Sequence, residues 1–218
     1  NISSVYQREM KRLPVFPIEE FTYANIKDKL YVTLVNAEKN VKMLTDMQHK
    51  NYEDLATVYS IQVTVYPGNK GSIVINNNHL RMFDIDIETL HEQAMENMKQ
   101  MLPYSFQNMN EIIAEMMGEL PEEFMMLEAE DSPMWVLSNT DKIQGAAYML
   151  DDTVLKDISD KIGGNLIILP SSIHETIVLR EDENMNFDYI KDMVADINAT
   201  QVEPDEVLSD SIYRYDVK

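Results

Sequence analysis

Gly163-Gly164-Asn165-Leu166-Ile167-Ile168-Leu169-Pro170-Ser171-Ser172-Ile173-His174-Glu175-Thr176-Ile177-Val178-Leu179 decides how the second half of the chain is built. The paired glycines end a helix, because glycine alone enters the left-handed C′ conformation without strain. Leu166 to Leu169 is continuously apolar, which suggests a strand buried on both faces. Pro170 to Glu175 is too short for the crossover that a parallel return needs. Thr176 to Leu179 is therefore the second arm of a hairpin.

Working outward, Asp151 and Asp152 can cap a helix that presents Val154, Leu155, Ile158 and Ile162 and stops at Gly163. Downstream, Asn186 can cap a helix with Phe187, Ile190, Val194 and Ile197 on its face. Pro204 breaks the chain, and Val207 to Tyr215 reads as a last extended segment. Met134 to Leu137 is a short strand, and Gln144 to Leu150 is small and apolar without a clear type.

The first half repeats this outline. Val58 to Tyr66 alternates, with Tyr59, Ile61, Val63 and Val65 on one face, as in a half-buried strand. Pro67 to Gly71 is a turn, and Ser72 to Asn76 the return strand. Asp86 caps a helix over about 86–102 with Ile87, Leu90, Ala94, Met98 and Met101 in one stripe. Before it, Asn25 to Leu30 leads into a strand at Leu30 to Val35, and Ala37 to Met47 is helix-prone. Residues 1–20 form a lead-in closed by Pro14 and Pro17. Residues 104–133 are irregular apart from a helix near Met109 to Met117 ended by Gly118; Glu119 to Pro133 is an acidic excursion.

The expected fold is α+β: mainly antiparallel sheets built from hairpin–helix units, with helices packed on them. It is read as one domain over 1–218, either undivided or as two lobes, about 21–118 and 134–216, joined by 119–133. The first residue is Asn1 and not Met, and the chain is expected to be the C-terminal piece of a longer protein.

Bulk chemistry narrows the function classes. The net charge is −20, and no basic cluster offsets it. Nucleic acid and anionic membrane are disfavoured, since both need Lys and Arg to neutralise phosphate. Cysteine is absent, which removes disulfides, thiolate nucleophiles and thiolate metal sites, and suits a cytoplasmic home. Sixteen methionines crowd the middle of the chain; core filling accounts for those on helix stripes. Phe124, Met125 and Met126 are the candidate surface for a protein partner.

Ser171, Ser172, His174 and Glu175 are the candidate catalytic residues. A Ser–His pair with a carboxylate is the raw material of nucleophilic catalysis. The G-x-S-x-G elbow is missing, and these residues equally suit a turn whose hydroxyls bond local backbone. His91-Glu92 and His174-Glu175 both lack the second His of the zinc motif, at Met95 and Val178. No calcium loop, phosphate loop or dinucleotide loop is present, so no cofactor and no metal is expected.

Several stretches resemble an uncharacterised family of Gram-positive gut bacteria, a domain of unknown function, over nearly the whole chain. They are Leu34-Val35-Asn36 with Glu38-Lys39-Asn40, Leu102-Pro103-Tyr104 with Asn108-Met109, and Ile168 to Glu175. Gln201-Val202-Glu203-Pro204-Asp205-Glu206-Val207-Leu208-Ser209-Asp210 and Tyr213-Arg214-Tyr215-Asp216 complete the set. From Trp135 onward the chain is more distantly similar to another uncharacterised cytosolic family. Neither resemblance implies an activity. The expectation is a non-enzymatic cytosolic binding or regulatory protein. The alternative is a hydrolase-like or metal-dependent enzyme using the 171–175 loop.

Overall fold

The computed structural model describes residues 21–66, 69–117, 134–170 and 172–217. Two antiparallel sheets carry the fold, as expected for α+β. The first holds β1 (Leu30–Asn36), β2 (Asn51–Tyr52), β3 (Leu55–Tyr66) and β4 (Asn69–Val74). The second has the order β5-β6-β8-β7-β9, from β5 (Tyr104–Asn108), β6 (Met134–Asn139), β7 (Leu166–Leu169), β8 (Thr176–Arg180) and β9 (Tyr213–Tyr215).

The Leu166–Leu169 strand behaves as its sequence requires. It pairs antiparallel with β8 on one side and β9 on the other. All four side chains are buried, and the strand's period of two divides them. Leu166 and Ile168 join the main core. Ile167 and Leu169 pack with Ile190 and Val194 of the helix Phe187–Gln201 on the opposite face. A strand enclosed by two apolar layers has no polar face to show, hence the unbroken run.

Caps fall where the sequence puts them. Asp86 accepts from Thr89 N at 2.8 Å and opens the helix Ile87–Met101. Asp151 accepts from Thr153 N and Val154 N and opens Asp152–Ile162. Asn186 accepts from Tyr189 N and opens Phe187–Gln201. Gly163, at φ 76, ends the second of these. Leu90, Ala94 and Met98 form the buried stripe of the first.

Other expectations need correction. Tyr104–Asn108 is not irregular: it is the edge strand β5, paired to β6 throughout. Its low apolar content reflects an edge position, where pairing and not burial holds the backbone. Asn69, Lys70 and Gly71, expected in a turn, continue the β3–β4 ladder. The predicted return strand ends at Val74, and Asn76 instead caps a helix, Asn77–Phe83, that the sequence reading missed. The helix-prone 37–47 segment yields only Val41–Leu44. Gln144–Leu150, whose type the sequence does not declare, contains a buried 3-10 helix, Gly145–Leu150. On Phe187–Gln201 the stripe is rotated from the one expected. Phe187 and Ile197 are 42% and 40% exposed, while Asn198 is buried and donates to Ser209 O and Asp210 Oδ1. Residues 1–20, Pro67, Gly68, Gly118, the 119–133 excursion, Phe124, Met125, Met126 and Ser171 lie outside the described residues.

One hydrophobic cluster runs through both sheets. It includes Leu34, Tyr59 and Ile61 from the first and Leu137, Ile168 and Val178 from the second. The 3-10 helix Gly145–Leu150 fills the space between, touching β1 on one side and β6 on the other. Its Tyr148 hydroxyl lies 3.0 Å from Met98 O and 2.8 Å from Leu102 O, satisfying the carbonyl end of Ile87–Met101.

Candidate functional site

The 172–175 turn links β7 to β8, as the hairpin predicts. Its polar groups turn inward to the backbone. Ser172 Oγ accepts from His174 N at 3.1 Å and Glu175 N at 3.3 Å. This is a local Ser turn, in which the hydroxyl takes up backbone donors that the loop would leave unpaired. His174 O accepts from Ser138 Oγ at 2.8 Å and Gly145 N at 2.9 Å.

The His174 ring makes two further contacts. Gln144 N donates to Nδ1 at 3.1 Å, so the neutral ring carries its proton on Nε2. Nε2 lies 3.2 Å from Glu206 Oε1 and donates to it. Ser172 Oγ has no hydrogen bond to the ring, and Glu175 contributes only its backbone. Of the four residues singled out from sequence, three are therefore described. They meet one another through the main chain and meet Glu206 through the imidazole. Glu206 was not singled out; only its place in the 201–210 stretch marked it.

That stretch runs alongside the turn. Ile173 N donates to Glu206 O at 3.0 Å, Ser209 N to Pro170 O at 3.1 Å, and Ser172 forms an isolated bridge with Val207. Asn36 Nδ2 donates to Leu208 O at 2.9 Å from the first sheet. The 34–40, 168–175 and 201–210 stretches are thus neighbours in space.

Asp54, in the turn between β2 and β3, holds the residues that follow, and with them the 201–215 segment forms a C-terminal strap. It accepts from Ser209 Oγ at 2.5 Å, from Ser211 Oγ at 3.3 Å and from the Tyr213 hydroxyl. Burial works to raise its pKa, but the hydrogen bonds from Ser209 and Tyr213 outweigh it and hold the carboxyl below the usual range. Burial, with Asp54 alongside, pushes the Tyr213 hydroxyl the other way, up.

Beside this clamp, where the edges β2 and β9 approach each other, lies a cleft of about 470 Å³. Its floor is Leu55, Met149, Leu155 and Ile168, and its walls are Tyr52, Tyr213 and Tyr215. Tyr213 and Tyr215 are two apart on a strand and so share a face. That alternation was the sequence signal for the wall. Arg214 at the rim is held by Glu181 at 2.7 and 3.0 Å and by Asp216 at 2.8 Å. A larger depression of about 670 Å³ beside Asn77–Phe83 has no aromatic lining among the described residues, so the smaller cleft is closer to the make-up of a ligand site.

A partly buried polar chain runs along one face of β3 to the helix Ile87–Met101. Lys50 N donates to Thr57 Oγ1 at 2.9 Å, Thr57 Oγ1 to the Tyr59 oxygen at 2.9 Å, and the Tyr59 hydroxyl to His91 Nδ1 at 2.9 Å. Burial lowers the His91 pKa and Lys50 adds to the effect. Burial raises that of Tyr59. No group of three or more His, Asp or Glu is arranged to hold a metal among the described residues. Among them, too, no helix is long and apolar enough to cross a membrane.

No curated protein and no solved structure matches the chain. The model of DUF5688, a family of unknown function, matches residues 1–217, and the chain belongs to that family.

Proposed function

We propose that this chain is a non-enzymatic binding protein whose ligand site is the tyrosine-walled cleft between β2 and β9. The observation that carries the reading is the cleft itself. About 470 Å³ lies within the ~300–1,000 Å³ typical of small-molecule sites. Three tyrosines stand over an apolar floor, which is the composition such sites share. The absence of cysteine and the resemblance noted above support a bacterial, cytoplasmic setting. The test is to equilibrate the protein with a small-molecule extract and identify by mass spectrometry what it retains. A compound held by the parent chain and lost in Tyr52→Ala is the expected result. Equal retention by both chains counts against the cleft.

A hydrolase-like reading at Ser172, His174 and Glu175 has one observation in its favour, the His174–Glu206 contact at 3.2 Å. Against it, Nδ1 accepts from a backbone N–H and Nε2 carries the proton given to Glu206. Neither nitrogen is then left to accept a proton from a serine. Ester turnover by the parent chain that His174→Ala abolishes would restore this reading.

A further inference from the structure

The geometry points to a small organic cation with an apolar body, an aryl or alkyl ammonium, as the ligand of the β2–β9 cleft. This inference rests on the binding reading above and adds the chemical class. Three features of the cleft carry it.

The first is the state of Arg214, the one cation among the described residues that line it. Arg214 is held by two carboxylates, Glu181 and Asp216. An anionic ligand would have to displace them to reach the guanidinium. The second is the pair of lining carboxylates. Glu53 and Asp152 both line the cleft and both are exposed, and neither forms an ion pair among the described residues. Two carboxylates without a cationic partner set a negative potential at the mouth of the cleft. The chain's net charge of −20 has the same sign.

The third is the aromatic wall. Tyrosine faces attract an ammonium through the ring quadrupole, and more strongly when the pair is desolvated. The Tyr213 hydroxyl is engaged by Asp54, which holds that ring, and the Tyr215 hydroxyl lies 3.5 Å from Asp152 O. The Tyr52 hydroxyl has no hydrogen bond among the described residues and is free to meet a ligand. Tyr52 is the ladder partner of Leu55, its ring lies 6.5 Å from that of His91, and it lines the cleft. A cationic head between Glu53 and Asp152 with its apolar body against Tyr52, Leu150, Tyr213 and Tyr215, the lining side chains that keep apolar surface exposed, satisfies each surface with its complement.

The test uses three probes with one body: phenethylamine, phenylethanol and phenylacetate, titrated calorimetrically into the full chain. Phenethylamine is expected to bind at least about tenfold more tightly than phenylethanol, with phenylacetate weakest. In the double variant Glu53→Gln/Asp152→Asn the preference for phenethylamine over phenylethanol is expected to vanish. Both side chains are exposed and unpaired, so the variant retains the fold, which circular dichroism verifies. Tyr52→Leu is expected to weaken both phenethylamine and phenylethanol. If phenylethanol binds as well as phenethylamine and Tyr52→Leu weakens both, the cation class is overturned and the cleft stands. If no probe binds at millimolar concentration, or if Tyr52→Leu leaves binding unchanged, the cation assignment and the cleft fall together.

Discussion

Asp54 accepts a hydrogen bond from Ser209 at 2.5 Å across 155 residues of sequence. With Ser211 and Tyr213 donating to the same carboxylate, one acid in a two-residue turn anchors the C-terminal strap to the first sheet. Hydrogen bonds to a charged acceptor contribute about 1.5–3 kcal/mol each, and removing the acceptor strands its donors. Asp54→Ala is expected to cost about 2 kcal/mol in a denaturant titration. The folded pKa is lowered, so the contribution is fully present above the unfolded value of about 3.9. It is lost as pH falls from there through the folded value. An acid-unfolding midpoint unchanged by Asp54→Ala would show that the strap is held by other contacts.

His91 predicts a dependence in the opposite part of the pH scale. Its folded pKa is lowered by burial, so between that value and about 6.5 the unfolded state binds more protons. Stability is then greatest above about pH 6.5 and declines as pH falls through the window. Protonation would also aim Nδ1–H at the Tyr59 oxygen, whose own proton would lose its acceptor. His79, which accepts from Asn76 N in the cap of Asn77–Phe83, is lowered by burial too and adds to the slope. Denaturant titrations from about pH 5 to about pH 8 should show the slope reduced in His91→Gln and reduced further in His91→Gln/His79→Gln. An identical slope in all three proteins would refute the assignment.

Gly145 and Gly163 separate two reasons for a glycine. A Cβ on Gly145 would meet Ser138 Oγ at 2.5 Å, Asn139 N at 2.6 Å and His174 O at 2.8 Å. Two of these atoms are backbone and cannot swing aside. Gly145→Ala should therefore cost about 3 kcal/mol, read as a large fall in melting temperature. Gly163 has nothing within 4 Å but sits at φ +76. Gly163→Ala should cost only about 1 kcal/mol, from the left-handed backbone. The reverse order would mean that the 145–174 contact is looser than these distances.

Ser172→Ala tests the turn directly. The hydroxyl accepts from His174 N and Glu175 N, so its loss should cost about 1 kcal/mol. Ser172→Asn, whose side-chain oxygen can cap the same donors, should recover part of it. A variant as stable as the parent would leave the hydroxyl without its structural role and reopen the catalytic one.

Local chemistry was legible in the sequence. Asp86, Asp151 and Asn186 cap helices, Gly163 ends one, and Leu166 to Leu169 is buried on both faces. Each of those outcomes depends on residues within about four positions of one another or on a strand's period of two. The rotated stripe of Phe187–Gln201 escaped because Asn198 is buried to hold Ser209 and Asp210, and hydrophobicity alone cannot rank a buried Asn above an exposed Phe187. The same holds for Asn97, buried and donating to Lys27 O and Leu30 O. The edge strand Tyr104–Asn108 escaped because its partner β6 lies beyond the 119–133 excursion.

The sequence by itself therefore determined the caps, the hairpins and the α+β class, all of which follow from short-range geometry. Only the tertiary structure decided that Asn36 meets Leu208, that His174 pairs with Glu206 and that Asp54 gathers Ser209, Ser211 and Tyr213. The physical reason is that a hydroxyl, imidazole or carboxylate takes its role from whichever donors and acceptors packing brings within about 3 Å, and packing joins segments that no local pattern connects.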